Sequence, residues 1–170
     1  MVTGSRHREG KSDSKRYNDW LERACEDLKS ASILAEDDDT LNTASFHCQQ
    51  CIEKALKGYI LYKTKNHVDG HNLTWLCRQA IKIDHRFLEW LDESAVLNRF
   101  YIETRYPSDI PLKLNKRTVL RVYEMARVMY LFICDEVGDW DRDCGCEKKK
   151  IISGDGNKAS FTVTGEEKNV

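Results

Sequence analysis

Two guanidinium groups stand close together in Leu97–Pro107, LNRFYIETRYP, with aromatic residues between and beside them. Arg99 and Arg105 are both forks that fit a phosphate, and the aromatic residues are Phe100, Tyr101 and Tyr106. The six-residue separation corresponds to about 600° of helical rotation, so a regular helix does not put both arginines on one face. They converge on one anion only if the helix stops before Arg105 or if a second subunit supplies one of them. The structural alternative pairs Arg105 with Glu103 or Asp109 and closes the helix end. On residue chemistry alone the two readings are even.

Other chemistry-bearing residues are scattered. His47, His67, His71 and His85 are each candidate bases, but His67 and His71 lie in a loop without the helical frame that puts such a pair on one metal. His71 directly precedes a short helix. Cys144 and Cys146 lie near Cys134, but a structural zinc site usually needs two spaced ligand pairs, and no histidine is close. Cys48 and Cys51 fall in mid-helix without a preceding strand, unlike a thioredoxin-type redox pair. No nucleophile elbow, phosphate-cradling glycine loop or dinucleotide fingerprint is present. The expectation is no metal and no cofactor.

The elements that must position these residues are helical. The chain has 170 residues, 41% hydrophobic and 32% charged, enough for one domain with one core and a solvated surface. A formal net charge of -1 gives no global attraction to nucleic acid or anionic membrane, so phosphate binding must come from a local patch. No apolar run approaches the roughly 20 residues that span a bilayer, and the basic, polar start MVTGSRHREGKSDSKR lacks the apolar segment of a secretory signal. A soluble, cytoplasmic protein without membrane contact is expected. Of the seven cysteines, Cys48, Cys51, Cys77 and Cys134 sit in helical patterns as small buried hydrophobes.

Residues 1–13 form a polar lead-in, expected to be disordered. From Ser14, Tyr17, Trp20, Leu21, Ala24, Leu28, Ala31 and Ala35 recur at helical steps, with Asp13 or Ser14 as N-cap. Asp37-Asp38-Asp39-Thr40 marks a turn. A second helix over about 42–63 buries Ser45, Cys48, Ile52, Ala55, Leu56, Tyr59 and Ile60. Its polar set, Gln49, Gln50, Glu53, Lys54 and Lys57, reads as a solvated face with ordinary i,i+4 pairs. After the loop around Asp69-Gly70 comes a short helix over 73–81. A further helix capped by Asp84 carries two apolar stripes, one with Leu88 and Ala95, the other with Phe87, Trp90, Ser94, Leu97 and Tyr101. Two stripes imply two partner surfaces and hint at self-association. The final helix runs from Asn115, its cap, to Gly138. Residues 138–170 read as a polar tail in which FTVT is one short strand pattern without a partner. The fold class is therefore all-α, an up-down antiparallel bundle of four long helices and one short, over 14–137.

Phe46–Lys63, FHCQQCIEKALKGYILYK, together with Arg105-Tyr106-Pro107, resembles the HEPN family of small helical domains often found beside minimal nucleotidyltransferases. The opening helix with Trp20, Ala24, Asp27 and Leu28, and the Gly70-His71-Asn72-Leu73 turn, are also similar. The resemblance covers roughly 14–137. It implies a homodimer with the Arg99 region lining a cleft between subunits. Many HEPN proteins are ribonucleases whose motif is an arginine, four to six residues, then a histidine. Some paired with nucleotidyltransferases continue to a tyrosine, which is the modification site. Arg99 matches the arginine and Tyr106 the tyrosine, but Thr104 stands where histidine belongs.

That departure matters because imidazole takes a proton from a ribose 2′-hydroxyl near neutral pH and a threonine hydroxyl does not. The expected function is a nucleotide- or RNA-phosphate-binding protein without efficient catalysis. It acts with a separate nucleotidyltransferase in a toxin-antitoxin-like pair, through Arg99, Arg105 and Tyr106. Secondary candidates are Tyr101, Thr104, Gln49, Glu53, Lys54 and His71. The alternatives are a metal-independent endoribonuclease toxin using Arg99 with an unrecognised base, and a purely structural dimerisation module.

Overall fold

The computed structural model describes residues 13–103 and 114–138. In chain order these form α1 (Tyr17–Leu34), α2 (Leu41–Thr64), α3 (Leu73–Ile83), α4 (Leu91–Glu103) and α5 (Lys116–Val137), with 3-10 turns at Asp38–Thr40 and His85–Trp90. No strand occurs among the described residues, and the all-α fold expected from the periodicity is the fold observed. No helix among the described residues is long and apolar enough to cross a membrane. Thr104, Arg105, Tyr106, Cys144, Cys146 and the FTVT segment lie outside the described residues.

The central element is α2, which packs against α1, α3, α4 and α5. Fifteen of its 24 residues are buried, so no broad face is left for solvent. Its core positions, Cys48, Cys51, Ile52, Ala55, Leu56 and Tyr59, meet Leu21, Ala24 and Leu28 of α1 and Ala126, Met129, Tyr130 and Ile133 of α5. Tyr130 fixes the α1–α5 contact further by donating its hydroxyl to Leu21 O at 3.2 Å. The cysteines at 25, 48, 51, 77 and 134 are free and buried, as small apolar fillers should be. Burial pushes the Cys48 thiol up to about 12, which keeps it protonated and inert.

Three local expectations need correcting. Neither Asp13 nor Ser14 caps α1; Arg16 holds that position without a side-chain cap. Ser14 instead donates to Asp19 at 2.6 Å and accepts the Trp20 indole N–H on its carbonyl at 2.9 Å, tying the entering chain to the first turn. The helix expected from Asp84 onward begins as a 3-10 turn, with Asp84 capping it through the Arg86 N–H. Of its two stripes, the one with Phe87, Ser94 and Leu97 faces the core, whereas Leu88 and Ala95 are exposed.

The cap on α5 is as expected. Asn115 Oδ1 accepts from the Thr118 N–H at 2.8 Å, and Gly138 ends the helix in the left-handed region at φ 83°. Asn115→Ala leaves that donor without its partner and is expected to cost about 1 kcal/mol, read as a lowered urea midpoint with unchanged slope.

Candidate functional site

The polar residues of α2 do not form the solvated face that their spacing suggested. Glu53 is 5% exposed, Lys57 9% and Gln49 fully buried, because the elements packed around α2 close over them. A carboxylate taken out of water must be compensated by charge and hydrogen bonds. Glu53 Oε1 accepts from Lys57 Nζ at 3.0 Å and faces His71 Nδ1 at 2.8 Å. Glu53 Oε2 accepts from Gln49 Nε2 at 3.2 Å. Gln49 also reaches the His71 carbonyl at 3.4 Å and accepts from Gln50 at 2.7 Å. Burial by itself would raise the Glu53 carboxyl, but His71, the Lys57 charge and hydrogen bond, and the Gln49 amide outweigh it and hold it below the ordinary value.

His71 is the exposed end of this network. An ionised Glu53 only accepts, so His71 Nδ1 carries the proton that faces it. In the neutral ring the lone pair then resides on Nε2. The imidazole lies flat on Tyr101 of α4, with ring centroids 5.3 Å apart and planes within 10°. One turn earlier on that face, Asn98 Oδ1 accepts the Leu73 N–H at 2.8 Å, and Asn72 caps α3 through the Trp75 N–H. The C-terminal half of α4 is thereby bound at two successive turns to the start of α3 and, through His71, to α2.

Gln49, Glu53, His71 and Tyr101, all candidates from sequence, thus belong to one cluster. Arg99 is exposed on α4, about 100° around the helix from Asn98 and so beside this face rather than on it. Lys54 is elsewhere: with His47 Nδ1 at 2.9 Å it flanks the carboxylate of Asp27, which joins α1 to α2. Lys57 and Asn98, named from sequence only as a surface i,i+4 partner and a stripe position, join the cluster through Glu53 and the Leu73 N–H. The Glu53–Lys57 pair was visible as an i,i+4 match, but its burial follows only from the elements packed around α2. Among the described residues, no group of three or more histidine, cysteine or acidic side chains is arranged to hold a metal ion.

The described residues form a five-helix bundle whose central helix carries a buried carboxylate network beside the C-terminal half of α4. A HEPN domain family model matches residues 17–137, and the chain belongs to the HEPN domain family. Among solved structures it is similar to TT1696 from Thermus thermophilus, at 25% identity and a TM-score of 0.63, covering 72% of this chain and 99% of that one. It is also similar to ST0689, an archaeal HEPN homologue, at 22% identity and a TM-score of 0.60, covering 73% and 99%. No curated protein matches. Family membership supports a nucleotide- or RNA-related role in general.

Proposed function

We propose that the C-terminal end of α4 binds the phosphate of a nucleotide or of RNA, with Arg99, Arg105 and Tyr106 lining a cleft between two subunits of a homodimer. The protein acts with a separate minimal nucleotidyltransferase, presenting substrate to it or being modified at Tyr106, and does not itself turn substrate over efficiently. The observation that carries this reading is the Glu53 network. It neutralises its own buried charge through Lys57 and holds His71 and Tyr101 at the surface beside the helix edge that bears Arg99. The buried Glu53 carboxylate is thus already compensated, which weakens its repulsion of an incoming anion.

Titration with labelled ATP and with a short single-stranded RNA, at two salt concentrations, tests it. Arg99→Ala is expected to weaken binding by roughly 10- to 100-fold, the worth of a hydrogen bond to a charged group, without altering the fold. RNA recovered afterwards should be intact. Unchanged affinity in Arg99→Ala, or no binding by the wild type, overturns the reading.

One observation favours the endoribonuclease alternative. The carboxylate-held His71, with its lone pair on Nε2, is the kind of base that Thr104 is not. RNA cut in the presence of a chelator, with cutting abolished in His71→Gln, would replace binding by metal-independent cleavage.

A further inference from the structure

Between Glu53 and Asp69 the chain carries Lys54, Lys57, Lys63 and Lys65 and no acidic residue, although its formal net charge is only -1. Gly58 determines what lies opposite this stretch. A Cβ there would stand 3.1 Å from Trp20 Cβ and 3.3 Å from the Tyr17 carbonyl, so the first turns of α1 rest directly on α2. Aromatic rings are thereby brought among the lysines. Tyr17 and Tyr62 meet edge to face at 4.8 Å, and the ammonium groups of Lys63 and Lys65 stand 5.3 and 5.2 Å from the Tyr62 ring. Lys57 stands 5.7 Å from the Trp20 ring, and His67 lies 6.2 Å from it on the other part of the loop. Lys63 and Lys65 make no ion pair among the described residues, and both are exposed.

We infer that this basic-aromatic face binds single-stranded RNA, its bases stacking on Tyr62 and Trp20 while Lys63 and Lys65 swing from the ring onto the flanking phosphates. Rings interleaved with cations suit a strand whose bases are unpaired, because every base offers a π-face and every linkage a charge. An anionic membrane is the poorer fit. It would select protruding aliphatic side chains, and the large apolar residues most exposed here, Ile33, Trp75, Ile83, Leu88 and Leu120, belong to other segments.

The inference rests on the phosphate-binding reading of the α4 end and specifies its ligand as a strand rather than a mononucleotide. The two sites are joined by one side chain. Lys57 bonds Glu53 at 3.0 Å, Glu53 bonds His71, and the same ammonium faces Trp20. The proposed strand runs from His71 and Tyr101 onto Trp20 and Tyr62.

The experiment uses the full chain, a labelled single-stranded RNA of about 12 nucleotides, labelled ATP, and phosphatidylserine vesicles, over a salt series. The double variant Lys63→Gln with Lys65→Gln is expected to lose at least tenfold in RNA affinity. Its log–log salt slope should become shallower by about 1.4, the share of two phosphates on a single strand, with ATP affinity unchanged. Tyr62→Leu, which keeps apolar bulk against the core, is expected to lose RNA affinity without the change in slope. RNA affinity and slope equal to wild type in both variants overturn the inference and leave the phosphate reading standing. Wild-type protein that binds neither ATP nor RNA overturns both. Vesicle binding lost in the double variant, with RNA binding intact, assigns the face to a membrane instead and equally overturns it.

Discussion

Glu53→Ala is expected to destabilise the domain by roughly 3–5 kcal/mol, the cost of breaking a buried ion pair by removing one partner. Lys57, with its side chain 10% exposed, then keeps a charge without its counterion, and Gln49 and His71 each lose their acceptor. For a domain of ordinary stability that is a large fraction of the total. Glu53→Gln retains the shape and one acceptor oxygen and should lose less. The pH dependence separates charge from shape. Because the folded carboxyl lies below its ordinary value of 4.5, its stabilising contribution is complete above that value and disappears as pH falls through the lowered one. The gap between wild type and Glu53→Gln in urea unfolding should therefore be widest near neutrality and shrink below pH 4.5. Equal urea midpoints for wild type and Glu53→Ala would show that the network contributes nothing to folding. The positioning of His71 by Glu53 would then lose its physical basis.

Phe87→Ala is expected to cost about 3–5 kcal/mol, by loss of buried aromatic area and by the cavity left behind. Phe87 is fully buried, its ring 4.5 Å from Tyr59 and 5.1 Å from Phe132, and its carbonyl accepts the Cys77 thiol at 3.4 Å. It is also the anchor of the 3-10 turn that feeds α4. Its removal should raise amide exchange in α4 before it does so in α1 or α2, and should loosen the Tyr101–His71 stack with it. Uniform loss of protection across all helices would mean that α4 has no independence from the rest of the core.

The two substitutions act on one arrangement from opposite ends. Phe87 holds the entry of α4 and Glu53, through His71, holds its exit, so the helix edge carrying Arg99 is fixed relative to α2 and α3. A phosphate site built on such an edge is rigid before ligand arrives, which lowers the cost of binding. Cys48 takes no part in this, since its apolar surroundings hold the thiol protonated.

Much of the fold was legible in the sequence because helical periodicity is a local property. The apolar steps from Tyr17 to Ala35 and from Val119 to Val137, the caps at Asn115 and Asp84, and the stop at Gly138 all follow from neighbours within a few residues. The resemblance to HEPN domains rested on equally local patterns, in Phe46–Lys63, at Arg105-Tyr106-Pro107, in the opening helix and at the Gly70–Leu73 turn. Tertiary structure alone decided that the polar residues of α2 are buried. Spacing cannot distinguish a face turned to water from one covered by other helices, and Glu53–Lys57 is the same i,i+4 pair in either case. It also decided that His71, 18 residues from Glu53 and 30 from Tyr101, lies between them. Contacts at such separations depend on how helices cross and how the loop after α2 returns, and no residue pattern within a single helix encodes that.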